Sequence, residues 1–311
     1  MAGRATVRGG DLMGLRLLAA AHRLVLSRRA PGLAIFYPTV GGTAPTDDAS
    51  RAALDAALIA AFRAHPNVVA QSLERIPQTN ETGRAMPLRG ALARVSAAHA
   101  QPIRLHELAA SAGLNLRADA MPWANVPMST PVKIAERSGC DLRPLDVSKA
   151  EDRLTLASYI WGDDLPRFER LRSAFVLATR IPATVRPMSA SEYLTMLTHA
   201  EPVPGQTMLI WHSATWFYLD RAARVELRSA IRKLANRATP STPVVHVSWE
   251  WKRDSPDPSR SYALVGRSWP AAGAWAPWRP GTCVQLGSGS AHGMPMRWTE
   301  PKPLPSDPLE V

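Results

Sequence analysis

Strand-like and helix-like segments alternate along the chain from Pro102 onward, and this alternation restricts the fold more than any other feature. Short apolar runs are separated by longer amphipathic stretches, which is typical of a mostly parallel sheet with helices on its faces. A loop rich in Pro, Gly and Trp joins the last two strand candidates, which predicts an antiparallel hairpin near the carboxyl terminus. The strand candidates are 103–107, 183–187, 207–211, 243–249, 262–265 and 283–286, and the helix candidates are 165–180, 190–199 and 220–237.

The first hundred residues show helical periodicity and no run of strands. Apolar residues recur at three- and four-residue spacings over 11–28, where Asp11 is a candidate N-cap. Asp47 or Asp48 can cap a second helix over 50–64, and a third helix is predicted over 84–99. We therefore expect three regions, a helical subdomain over 1–95, an α/β domain over 96–300 and an irregular tail over 301–311.

Composition excludes several classes of protein. Hydrophobic residues make up 46% and charged residues 20% of the chain, which indicates a globular rather than a disordered protein. The two cysteines, Cys140 and Cys283, rule out a disulfide scaffold and a four-cysteine zinc site. No group of potential ligands has metal-site spacing and no P-loop is present, so we expect neither a metal nor P-loop phosphoryl transfer.

The chain is basic, yet its charge does not favour a nucleic-acid partner. The net charge is +11 and the pI about 10.4, but lysines are few and no basic run of five or more occurs. Arg16, His22 and Arg23 interrupt the apolar residues near the N-terminus, so neither a membrane span nor a signal peptide is predicted. We expect a cytoplasmic protein with a small-molecule partner and no membrane association.

The segment 103–116 has the spacing of a nucleotide-cofactor loop. A predicted strand ends at Glu107, and small residues follow at every second position, namely Ala109, Ser111 and Gly113. A helix is expected after them. Small residues let the backbone approach a ligand closely, and a helix N-terminus offers free N–H groups. The same residues also fit a plain strand-to-helix turn that needs small side chains for tight packing.

A second functional interpretation of this segment is a nucleophile elbow. Residues 109–113 (AASAG) are close to G-x-S-x-G, with Ser111 as the nucleophile of an acyl hydrolase. His292 would be the base, and the candidate acids are Asp141, Asp146 and Asp220. An elbow normally follows several strands of its sheet, whereas the residues before this segment are predicted to be helical.

Two acids beyond the loop are candidates for holding a ribose. A strand-end acid that accepts from ribose hydroxyls is expected roughly 20 residues beyond such a loop. Asp141 and Asp146 lie 28 and 33 residues beyond Gly113, so either acid could serve only if an insertion lengthens the segment between the loop and the acid. Either acid could instead cap a turn beside Pro144.

Polar side chains are dense between Pro77 and the helix predicted over 84–99. They can bind a carboxylate or amide of a substrate, or one of them can serve as an N-cap. The candidate substrate-binding residues here are Gln78, Asn80, Glu81 and Arg84.

His212 is the best candidate for a general base. It follows the strand predicted over 207–211, and the carboxyl ends of such strands face the ligand crevice. Imidazole also titrates near neutral pH. The alternative is a packing histidine bonded to a carbonyl. The adjacent Ser213 is a candidate substrate ligand or a cap of the next helix.

Two boxes, 78–84 (QTNETGR) and 107–116 (ELAASAGLNL), resemble a bacterial family, the domain-of-unknown-function family 2332. Its members typically show Q-T-N-E-x-x-R and E-x-G-A-S-A-G-L-N-L, and the resemblance extends over residues 17–298. Ala109 stands where members usually have glycine, and Ser189 stands where they often have aspartate.

Members of this family are regarded as similar in fold to class I S-adenosylmethionine (SAM) methyltransferases. The resemblance implies a Rossmann-like, class I methyltransferase-like sheet and a SAM site. The implied cofactor-binding residues are Glu107, Ala109, Ser111, Gly113, Asn115, Asp141 and Asp146. The activity we expect is methyl transfer from SAM to a small molecule, with His212 as the base. The alternatives are an acyl hydrolase that uses Ser111 and a non-catalytic binding protein with the SAM fold.

Overall fold

A computed structural model describes residues 12–122, 131–252 and 261–305 of the chain. These residues form two compact units. The first unit comprises the described parts of Met1–Thr79 and Asp146–Ser173, and the second comprises those of Asn80–Leu145 and Ala174–Val311. The sheet lies in the second unit.

The sheet combines a parallel part with an antiparallel extension. Its strands in the described residues are β1 (Ile103–Leu108), β2 (Ile134–Asp141), β3 (Thr184–Pro187), β4 (Thr207–Ser213), β5 (Val244–Trp251), β6 (Tyr262–Trp269), β7 (Val284–Gly289) and β8 (Met296–Pro303). The order is β3-β2-β1-β4-β5-β6-β7-β8. The first five of these are parallel and in Rossmann order, and the last three pair antiparallel. The predicted α/β fold is confirmed.

The α-helices divide between the two units. In the described residues they are α1 (Met13–Leu26), α2 (Pro31–Ala34), α3 (Asp48–Ala64), α4 (Pro66–Glu74), α5 (Ala85–His99), α6 (Ala150–Ser158), α7 (Leu165–Arg180), α8 (Ala190–His199) and α9 (Arg221–Asn236). The first unit holds α1 to α4 and α6, the second holds α5, α8 and α9, and α7 begins in the first and ends in the second. No helix of the described residues has the length and apolar character needed to cross a membrane.

In the first unit, α1 buries Ala21, Leu24 and Val25 in an apolar cluster with residues of α2 and α3. The side chain of Asp47 accepts from the Ser50 N–H at 2.7 Å in a capping box, so the predicted cap of the second helix is confirmed. Asp11, the predicted cap of the first helix, lies outside the described residues.

In the second unit, side chains of the strands alternate between the two faces of the sheet. Leu108, Ile210 and Val244 point to one face, where they form a buried apolar cluster with residues of α8 and α9. Glu107 and Trp211 are partners in the β1–β4 register and point to the opposite face. Because β1, β2 and β4 are parallel, their carboxyl ends lie along one edge of the sheet, where side chains from both faces come close together.

Two predicted boundaries differ from the structure. The boundary after residue 95 falls inside α5, whose Leu88, Leu92 and Val95 are fully buried within the sheet-containing unit. The tail predicted to be irregular from residue 301 includes the end of β8, because β7 offers an unpaired edge to which residues up to Pro303 pair. Prolines are tolerated on such an edge strand, where one side needs no hydrogen bond.

Candidate functional site

The loop after β1 bends tightly at the point where the strand order reverses. Ala109, Ser111 and Gly113 have φ angles of 54°, 53° and 65°, in the left-handed region that disfavours large side chains. A Cβ added to Gly113 would lie 2.7 Å from the Val185 Cγ2 atom. The alternate small residues therefore have a backbone reason, and the position where the family usually has glycine, Ala109, is one that favours glycine.

Residues from three sequence motifs meet at this loop. The Asp141 Oδ2 atom accepts from the Ser111 N–H at 2.9 Å, and the Asn80 Oδ1 atom accepts from the Leu114 N–H at 3.2 Å. Asp141 is the last residue of β2, as a ribose-binding acid should be, and its Oδ1 atom also accepts from the Arg143 N–H. The structure thus brings together Asn80, Ser111 and Asp141 from distant parts of the chain.

The helix expected after the loop is only a 3-10 turn, Leu114–Arg117. One turn has a negligible macrodipole, and the Leu114 N–H at its start already bonds to Asn80. The helix N-terminus that was expected to receive a phosphate or carboxylate is therefore absent from the described residues. The prediction of a helix after the loop was therefore wrong, whereas the left-handed backbone of the loop accounts for its small residues.

Glu107 is buried at the end of β1 and carries a perturbed carboxyl group. Burial raises its pKa from 4.5 to about 8, although the neighbouring Asn115 and Trp211 side chains and the charges of Arg117 and Arg84 oppose the shift. The Glu107 Oε2 and Asn115 Oδ1 atoms are buried and have no hydrogen-bond partner in the described part of the chain. A buried acceptor without a hydrogen bond destabilises the folded protein, so the binding of a ligand that donates to these atoms would be favoured.

The box at 78–84 connects the loop to other parts of the sheet edge. Asn80 contacts the loop, and the neighbouring Glu81 carboxylate lies 3.1 Å from the Nδ1 atom of His292. Arg84 donates to the carbonyl oxygens of Ala291 and of Ser213, the last residue of β4. Gln78 belongs to the other compact unit. Three of the five predicted substrate residues, Asn80, Glu81 and Arg84, thus lie in one segment at the sheet edge, and Arg84 contacts a fourth, Ser213.

His212 is not placed as a general base for a bound ligand. It is fully buried, with Nδ1 2.7 Å from the Glu250 Oε1 atom and Nε2 3.0 Å from the His246 Nε2 atom. Arg267 donates to the other nitrogen of His246 at 3.0 Å. Since arginine only donates and a carboxylate only accepts, the two neutral rings relay hydrogen bonds from Arg267 to Glu250. Both ring nitrogens of His212 are occupied.

The sequence analysis did not identify the other residues of this hydrogen-bond network, His246, Glu250 and Arg267. Burial lowers the pKa of His246 well below 6.5, and the positive charge of Arg267 adds to this, which is consistent with a neutral ring. Glu250 also accepts from the Thr215 and Trp216 backbone N–H groups, so it closes the loop after β4. His246 and Glu250 lie four residues apart on β5, so their side chains point to the same face of the sheet. This spacing is the sequence signal for the network.

Asp146 lies in the first compact unit, where its Oδ1 atom accepts from the Ser148 N–H and hydroxyl at 2.9 and 2.7 Å. Hydrogen bonding to Ser148 lowers its pKa. This is the turn-capping alternative for Asp146. Ser189, where the family often has aspartate, caps α8 in a capping box with Glu192.

The hydrolase alternative finds support in the left-handed conformation of Ser111. Its candidate base, His292, bonds to Glu81, which is not one of the acids predicted for a catalytic triad. No group of three or more potential metal ligands occurs in the part of the chain that the structure describes.

These features define a class of protein, an α/β fold with a Rossmann-ordered sheet and a loop–acid pair at its switch point. The chain belongs to the family described as an uncharacterized protein conserved in bacteria, DUF2332, whose model matches residues 1–125 and 120–298. The predicted family membership is confirmed. A search of the curated proteins found no match.

Proposed function

We propose that this protein is a SAM-dependent methyltransferase that acts on a small molecule. The observation that carries the proposal is the pair of buried, unpartnered acceptors Glu107 Oε2 and Asn115 Oδ1 beside the left-handed loop. The methionine portion of SAM has an ammonium group with three N–H donors, which matches such acceptors. The residues present therefore fit this cofactor.

The remaining residues of the loop have roles that follow from their positions. Asp141, oriented by the Ser111 and Arg143 N–H groups, would accept from the ribose hydroxyls. Ala109 and Gly113 keep side-chain bulk away from the cofactor. When bound, SAM supplies an electrophilic methyl group. The protein then contributes alignment and exclusion of water more than acid–base chemistry.

The arginines near the site favour a small acceptor over nucleic acid, because their guanidinium groups already bond within the protein. Arg84 bonds to two carbonyl oxygens, Arg117 bonds to the Ile181 and Gly113 carbonyls, and Arg137 pairs with Asp119 at 2.6 Å. These guanidinium groups are committed within the protein. Both cysteines are buried free thiols, which fits the bacterial cytoplasm that we propose as its compartment.

Calorimetry with SAM and S-adenosylhomocysteine tests the proposal directly. A ligand at a hundredfold its dissociation constant stabilises the folded state by about 2.7 kcal/mol, so both compounds should also raise the melting temperature. Asp141→Asn should weaken SAM binding about tenfold or more, because a charged acceptor is lost. Asp146→Asn, at the other candidate acid, should leave the affinity unchanged.

Other outcomes separate the alternatives. Failure of both ligands to bind the wild-type protein refutes the SAM site. Binding without transfer to any acceptor indicates a non-catalytic binding protein. Labelling of Ser111 by a fluorophosphonate, lost in Ser111→Ala, indicates an acyl hydrolase. Affinity for DNA or RNA that falls steeply with salt indicates a nucleic-acid substrate.

A further inference from the structure

His292 and Glu81 form a pair whose geometry differs from that of every other histidine described above. The His292 side chain is 52% exposed, whereas the Glu81 side chain is 1% exposed, and the Glu81 Oε2 atom lies 3.1 Å from the His292 Nδ1 atom. The other oxygen of Glu81 accepts from the Gly83 N–H at 3.0 Å. An exposed imidazole is therefore held by a buried, oriented carboxylate.

The turn that carries His292 is held rigidly against the segment that carries Glu81. A Cβ added to Gly83 would lie 2.2 Å from the His292 carbonyl oxygen, and one added to Gly293 would lie 2.5 Å from the Gly83 carbonyl oxygen. Arg84 Nε donates to the Ala291 carbonyl at 2.9 Å. The close packing of the two backbones fixes the backbone of His292, and the bond to Glu81 orients its imidazole.

The same segment also contacts the proposed cofactor loop. Asn80 accepts from the Leu114 N–H of the loop. Glu81 follows Asn80 directly, so the Cα atoms of these two residues lie only about 3.8 Å apart. Arg84 reaches the end of β4, and its charge partly opposes the rise of the Glu107 pKa that burial causes. His292 is thereby attached to the edge of the sheet where the loop, Glu107 and Asp141 lie.

The carboxylate determines which ring nitrogen carries the proton. A carboxylate only accepts, so the Nδ1 atom of neutral His292 is the donor and its lone pair lies on Nε2, away from Glu81. A buried acid that holds a histidine in one tautomer is the arrangement that prepares a general base. His212 lacks this property, because both of its nitrogens bond within the protein.

We propose that His292 is the proton acceptor of this site, that Glu81 is its positioning residue, and that the methyl acceptor carries an ionisable O–H or N–H group. The inference rests on the proposed methyltransferase function. The proton of the acceptor moves to Nε2, and the electron pair of the broken O–H or N–H bond stays on the acceptor atom. With SAM bound, the acceptor atom would bond to the methyl carbon as the C–S bond breaks, and the electron pair of that bond would stay on sulfur to give S-adenosylhomocysteine. The acceptor's proton passes from His292 to solvent, so one proton is released per transfer.

The first experiment measures the tautomer of His292 by long-range ¹H–¹⁵N correlation at a pH where the ring is neutral. The wild-type ring should be protonated on Nδ1. In Glu81→Gln the amide oxygen keeps the bond to Gly83, so the amide N–H group faces Nδ1 and the proton should move to Nε2. His292→Gln identifies the signal. The same tautomer in wild type and Glu81→Gln overturns the role of Glu81.

A chemical measurement provides a second readout. Diethyl pyrocarbonate reacts with an unprotonated imidazole nitrogen, so His292 should be modified in the wild type and about tenfold more slowly in Glu81→Gln. The matched control is His199, an exposed histidine whose Nδ1 bonds to the Thr195 carbonyl at 2.8 Å. Its rate should be equal in both proteins. Equal rates for His292 as well would contradict the proposal.

Transfer of radiolabelled methyl groups from SAM to phenol and benzylamine tests the catalytic role. His292→Gln should lower transfer about 100-fold and leave the calorimetric SAM affinity within about twofold. Undiminished transfer overturns the role of His292. If the wild type does not bind SAM but the tautomer inverts, the proton-accepting pair stands, whereas the methyltransferase function and the methyl acceptor are refuted.

Discussion

Replacing Glu107 by Gln should change how the stability of the protein depends on pH. In the folded state burial raises the pKa of Glu107 to about 8, whereas in an unfolded chain the group ionises near 4.5. Between these values the folded protein binds more protons than the unfolded one, so the contribution of this residue to stability falls as the pH rises. A difference of roughly 3.5 between the two pKa values corresponds to a loss on the order of 5 kcal/mol, complete above about pH 8.

Gln has nearly the same shape and does not ionise, so Glu107→Gln should gain stability relative to the wild type throughout this window. The measurement is urea denaturation of both proteins between pH 5 and 9. The buried His22 and His106, whose pKa values burial lowers to about 4, affect both proteins equally and cancel in the comparison. Parallel curves for the two proteins would show that Glu107 is solvated or ionised in the folded state, and the reasoning would fail.

Three further predictions concern the same edge of the sheet. Ala109→Gly should leave the free energy of unfolding unchanged or raise it by about 1 kcal/mol by removing left-handed strain, whereas Gly113→Ala should lower it by more than about 1 kcal/mol, both measured by urea denaturation. Arg267→Met should lower it by about 2 kcal/mol, because His246 loses its donor in the core; an unchanged value would contradict the hydrogen-bond chain. Native Cys140 should resist thiol reagents until the protein unfolds, because burial raises its pKa to about 12, and rapid labelling of the folded protein would refute this.

Local patterns predicted the elements well where neighbouring residues decide the structure. The capped helix α3, the strand β1 and the small residues of the following loop all depend on propensity and short-range hydrogen bonds. β2 was missed because its sequence, IAERSGCD, is polar. It becomes a strand because β1 and β3 pair on both of its sides and because Arg104 pairs with Glu136 at 2.7 Å.

The family resemblance indicated two boxes without saying how their residues meet. It implied that Glu107 binds the cofactor, and the polar box predicted Asn80 and Glu81 as substrate-binding residues. The structure gives these three residues separate contacts along one edge of the sheet. The choice between Asp141 and Asp146 was open in the sequence because both lie at a similar distance along the chain from the loop. In the structure Asp141, at the end of β2, bonds to the loop through the Ser111 N–H.

The sequence by itself determined the alternation of strands and helices, and with it a parallel sheet whose small-residue loop follows the first strand. Only the tertiary structure decided which histidine is exposed and which is buried. His212 lies in a register that surrounds it with Glu250 and His246, whereas His292 meets a carboxylate 211 residues away. The physical reason is that local propensities act between neighbours along the chain, whereas burial and hydrogen-bond partners depend on strand register and on the packing of distant segments.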